Sequence, residues 1–151
     1  MNPTLVRWAH VTAAAVLLGG ALLALAACRG RRAGPADRGG SLPMETGARF
    51  EWISWGAIGL AVMTGVGNLG AFGVHLQPAT SRWGGFLLVK LTLLLFLLPL
   101  SLVRTLVVAK LRAAPETSRP SSTRSLLAAL YAITLALILS ITLLAAFLAH
   151  G

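Results

Sequence analysis

The sequence predicts an all-α integral membrane protein, an antiparallel bundle of four transmembrane helices. Two observations carry this. Of 151 residues, 56% are hydrophobic and only 11% are charged, where soluble domains carry roughly 25% charged residues. The apolar residues also fall into four long runs, and a bilayer crossing needs about 20 apolar residues. Four crossings and their connections use nearly the whole chain, so a single transmembrane domain over residues 1–151 is expected.

The first run covers residues 4–27, with Arg7 and His10 as its only ionisable groups. The second covers 52–75, the third 83–108 and the fourth 125–149. Each must be helical, because lipid offers no partner to a free backbone amide. Pro99, inside the third run, is expected to kink it. The connection 29–49 is polar, rich in Gly and Arg, and reads as a flexible loop. Pro78 marks a tight turn between the second and third helices. The connection 111–124 holds Pro115, Pro120 and a Ser/Thr cluster. The box Leu25-Ala26-Ala27-Cys28 has the look of a lipoprotein cleavage site. However, its apolar stretch exceeds a usual signal core, and Arg29-Gly30-Arg31-Arg32 would resist translocation. Helix one is therefore expected to stay. A lone cysteine allows no intrachain disulfide.

The net charge of +9 is a topology signal. Ten of the 13 cations belong to the connections 29–49 and 111–124 or the adjoining helix ends. Arg7, Arg82 and Lys90 are the other three. The positive-inside rule then makes both connections cytoplasmic and puts both termini outside, as in a multi-pass protein of a bacterial inner membrane. Trp8 and Trp83 would mark the outer interface, Trp52 and Trp55 the inner one. Cations placed this way meet lipid phosphate, and no nucleic-acid partner is expected. The acidic residues Asp37, Glu45, Glu51 and Glu116 fall on the cytoplasmic side and read as solvated loop groups.

This topology gathers His10, His75 and His150 near the outer face, with Lys90 about two turns into helix three. Ionisable groups at membrane depth are functional candidates by default. His10 shares a helical stripe with Ala13, Ala14, Leu17, Ala21 and Ala24, and His75 shares one with Asn68 and Thr64. Neutral imidazole ligates heme iron, copper and zinc. The expected cofactor is heme b, held by His10 with His75 or His150, its propionates met by Arg7, Arg82 or Lys90. His10 and His75 are also the candidate metal ligands, with copper the alternative. Electron transfer is the expected role, and an accessory subunit of a respiratory or photosynthetic membrane complex the alternative. No nucleophile–base pair or nucleotide loop is present, so the reading leans away from an enzyme.

The stretch from Arg49 to Arg104 resembles the copper-resistance D (CopD) family. The features that carry this are Arg49-Phe50, Thr64-Gly65, and Thr80-Ser81 followed by Gly84, Leu87-Leu88, Lys90 and Leu91. His10 followed by Gly19-Gly20 also fits. The resemblance implies copper transport or resistance. The layout is similar as well to the heme-containing HemJ proteins, in which an early histidine and a lysine at the start of helix three matter. That likeness implies roles for His10 and Lys90, and protoporphyrinogen oxidation as the enzymatic alternative.

Overall fold

A computed structural model describes residues 2–29, 41–72, 78, 80–114 and 121–150. It contains four helices: α1 (Pro3–Arg29), α2 (Ser41–Phe72), α3 (Arg82–Ala113) and α4 (Ser121–His150). All four are long and apolar enough to cross a membrane. The protein is thus an all-α membrane bundle.

All four helices extend past their apolar runs, α1 by only one residue at its start and two at its end. α2 begins at Ser41, inside the stretch expected to be loop. Pro43 does not prevent this, because a first-turn residue has no intrahelical partner for its amide. α3 runs on to Ala113, where Lys110 and Arg112 lie against the negative end of the helix dipole. Its other end is capped by Ser81, whose Oγ accepts the Gly84 amide at 3.0 Å. The helix continues through Pro99. α4 begins four residues ahead of its expected start, at Ser121.

The helices pack antiparallel. α1 lies against α2 and α4, α3 lies against α4, and the α2–α3 pairing is the sparsest of the four. One end of the bundle holds the chain termini. The other, where α1 leads toward α2 and α3 toward α4, is called here the connection end.

The predicted stripe on α1 faces inward. Ala13, Leu17, Ala21 and Ala24 are all buried, joined by Cys28 near the connection end. Small residues let helices approach closely, which matters in lipid because dispersion contacts replace the hydrophobic drive. Leu22, Leu23, Leu95, Phe96, Leu106, Leu143 and Phe147 point outward instead. Such a belt would be an aggregation liability in water and is the expected surface in hydrocarbon.

The adjacent glycines of α1 separate structure from sequence. A Cβ on Gly20 would run into the ring of Phe50, whereas one on Gly19 meets nothing within 4 Å. Gly20→Ala should destabilise the bundle by about 1–3 kcal/mol through overpacking. Gly19→Ala should leave it unchanged. Thermal unfolding of the two variants in mild detergent checks this.

Candidate functional site

Among the described residues, two polar sites lie inside the bundle. At the connection end, Arg104 of α3 is 0% exposed and Glu51 of α2 is 4% exposed. The guanidinium grips the carboxylate through two bonds, Nε to Oε1 at 2.6 Å and Nη2 to Oε2 at 3.2 Å. Arg104 also donates from Nη1 to Thr134 Oγ1 and from Nη2 to Ser54 Oγ, both at 3.1 Å. Each of those hydroxyls passes its own proton to a helix carbonyl, Thr134 to Leu130 and Ser54 to Glu51, so each is free to accept.

The carboxylate is served as completely. Tyr131 of α4 donates to Oε1 at 3.2 Å. Thr105 Oγ1 lies against Oε2 and in turn accepts the indole N–H of Trp55 at 3.0 Å. The guanidinium carbon sits 4.9 Å from the Phe50 ring centre and 5.3 Å from that of Tyr131, within cation–π range. A buried ion pair is tolerated only when geometry and hydrogen bonding offset its desolvation, and a bidentate Arg–carboxylate pair does this best. The network fastens α2, α3 and α4 at one level, across the α2–α3 seam where apolar packing is thin.

Sequence reasoning missed this site. Glu51 was expected in solvent, and Arg104 was counted only as a topology charge. The structure corrects both, because α2 starts early enough to carry Glu51 inside the bundle. A signal did exist. Ser101, Arg104 and Thr105 share a helical stripe, as do Glu51 and Ser54, and Tyr131 and Thr134. Opposite charges on two such stripes at matching depth mark a pair. Ser101 is the exception to the network's saturation, since its buried Oγ has no hydrogen-bond partner among the described residues. Ser101→Ala should therefore be neutral or stabilising by up to about 1 kcal/mol, read from the same unfolding assay.

The second site is at the termini end. His10 of α1 is half-buried. Its Nδ1 lies 3.0 Å from the Ala61 carbonyl and 3.0 Å from Thr64 Oγ1 on α2. A carbonyl only accepts, so Nδ1 carries the proton. Thr64 Oγ1 gives its hydrogen to the Leu60 carbonyl at 2.6 Å and can accept from the imidazole. In the neutral ring this tautomer leaves the lone pair on Nε2. The ring rests beside Gly65, where a Cβ would sit 3.5 Å from Cε1. A carbonyl and a hydroxyl of α2 thus hold the imidazole through Nδ1, which leaves Nε2 as the ring nitrogen able to accept a bond.

Of the residues expected to join His10, Lys90 lies half-buried on α3 within electrostatic reach of the imidazole. Arg7 and Arg82 are exposed at the same end of the bundle. His75 lies outside the described residues. His150 ends α4, and its side chain lies outside the described part. Thr64, expected on a stripe with His75, contacts His10. Among the described residues no three of His, Cys, Asp and Glu come together as a metal cluster. The one methionine deep in the bundle's membrane span, Met63, is 75% exposed and faces outward.

Fold and sites together define a small polytopic membrane protein with a clamped polar core and, among the described residues, a histidine held between two helices. Residues 44–148 match the family described as copper resistance protein D. The chain belongs to that family. The match spans Glu51, Thr64, Lys90, Arg104, Tyr131 and Thr134, while His10 precedes it. No curated protein and no solved structure matches the chain. The family concerns copper, and neither heme b nor the HemJ likeness gains support from it.

Proposed function

We propose that this protein handles copper at the membrane, with His10 Nε2 as the first protein ligand the ion meets. The observation that carries this is the anchored ring, its Nδ1 proton held by Ala61 and Thr64, which leaves the Nε2 lone pair as the one able to bind a metal. Imidazole is a common copper ligand, and the family's description favours copper as the metal. Conduction requires a contact strong enough to admit the ion and weak enough to release it.

The cation count supports an orientation. With ten of 13 cations at the connection end, that end faces the cytoplasm of an inner membrane and His10 lies in the outer half. Copper would then enter from outside, and the Glu51–Arg104 clamp would form the inner end of the bundle.

The test is direct. Full-length protein purified in mild detergent is titrated with copper under reducing and oxidising conditions, and a deletion strain is plated on graded copper. Stoichiometric binding and altered copper tolerance are expected, both lost in His10→Ala. A Soret band after heme-replete expression, with no copper bound, would assign the same Nε2 to heme b instead.

A further inference from the structure

The cation-rich connection end holds a feature that neither the clamp nor the copper reading uses. A surface cavity of about 300 Å³ is lined by Ala48, Arg49 and Trp52 of α2 and Arg112 of α3. We propose that this cavity binds the phosphate headgroup of an anionic phospholipid, its two guanidiniums on the phosphate oxygens and its acyl chains along the α2–α3 seam.

Four observations meet here. First, Arg49 and Arg112 come from different helices and converge on one cavity. Glu51, two residues along α2 from Arg49, is taken by Arg104, and neither Arg49 nor Arg112 forms an ion pair among the described residues. Two guanidiniums facing one concavity repel each other unless an anion sits between them, and guanidinium forks match phosphate oxygens.

Second, the depth is right. The apolar span of α2 runs Gly47–Gly70, 24 residues, or about 36 Å at 1.5 Å per residue against a hydrocarbon core of about 30 Å. Arg49 therefore lies at headgroup level, as does Arg112 in the last turn of α3.

Third, Trp52 sits one turn deeper on the same face of α2 and is 82% exposed. An indole there lies at the glycerol level, where tryptophan is favoured. Fourth, α2 and α3 form the sparsest packed pair of the bundle. Gly56 and Gly59 leave open space beside α2, with nothing within 4 Å of either added Cβ. Basic pockets between transmembrane helices on the cytoplasmic side hold anionic headgroups in this manner. Free phosphate has the same headgroup chemistry but would gain nothing from Trp52 or the seam.

The experiment uses full-length protein in mild detergent, titrated separately with phosphatidylglycerol, phosphatidylcholine and inorganic phosphate. Binding is followed by native mass spectrometry and by unfolding temperature. Phosphatidylglycerol should remain bound and raise the unfolding temperature by several degrees. Phosphatidylcholine and millimolar phosphate should do neither. Arg49→Gln with Arg112→Gln should weaken phosphatidylglycerol binding at least tenfold and leave the unfolding temperature in phosphatidylcholine unchanged. Arg29→Gln with Lys110→Gln, exposed cations at the same end, should weaken it less than threefold. Equal binding of phosphatidylcholine, full replacement by inorganic phosphate, or equal losses in the two double variants would each overturn the proposal.

Discussion

Arg104→Ala should cost the bundle about 3–5 kcal/mol, the loss expected when one partner of a buried ion pair is removed. The magnitude comes from what stays behind. Glu51 is 4% exposed, and without the guanidinium it keeps only the hydroxyls of Tyr131 and Thr105. Thr134 and Ser54 lose a donor as well. The damage should fall on the attachment of α2 to α3 and α4, since few other contacts hold that seam. Unfolding temperature and detergent-induced unfolding of the purified protein are the measurements. Arg104→Lys keeps the charge but loses the fork and the stacking on Phe50 and Tyr131, so it should fall between wild type and alanine. The double variant Glu51→Leu with Arg104→Met removes both charges and should recover most of the stability. A double variant as weak as Arg104→Ala would mean that uncompensated charge is not the cause.

The second large effect is on copper. His10→Ala should lower copper affinity by at least tenfold and leave unfolding nearly unchanged, because the ring is half-buried at the termini end and outside the clamp. Thr64→Val separates ligand from support. It keeps Nε2 and the Ala61 carbonyl but removes one acceptor from Nδ1. Loss of a group that hydrogen-bonds the far nitrogen of a metal-binding histidine typically costs roughly 10–100-fold in metal affinity. With Ala61 still present, the loss should sit near the lower figure, about tenfold. Met63→Leu is the contrast. A thioether is a good copper ligand in principle, but Met63 points away from the bundle and its loss should change nothing. Copper titration and copper tolerance of complemented cells should rank the variants in that order. Wild-type affinity in His10→Ala would remove the imidazole from the pathway.

The His10 site was partly legible because its signals are local. A histidine in an apolar run is conspicuous, and its spacing to Ala13, Leu17, Ala21 and Ala24 shows which face it shares. Its anchor was not legible. Thr64 is 54 residues away, and only the antiparallel register of α1 on α2 brings the two together. The clamp was hidden for a related reason. Glu51 stands one residue ahead of the apolar run expected to begin at 52, so hydropathy assigned it to a loop. Hydropathy averages over a window and is blind to one carboxylate whose partner sits on another helix.

The sequence by itself therefore determined that the chain is a four-helix membrane protein. Lipid leaves a long apolar run one way to satisfy its backbone, and that constraint acts within each segment. Spacing alone also fixed which α1 residues share the His10 face, while burial in the bundle decided that this face turns inward. Only the tertiary structure decided that Glu51 and Arg104 meet, that Ala61 and Thr64 hold the His10 ring through Nδ1, and that Arg49 and Arg112 share a cavity. Each of these joins residues on different helices, and depends on the helices' relative shift and rotation. Those are set by the fit of side chains such as Phe50 against Gly20 and Tyr131 against Gly47, which no one-dimensional pattern records.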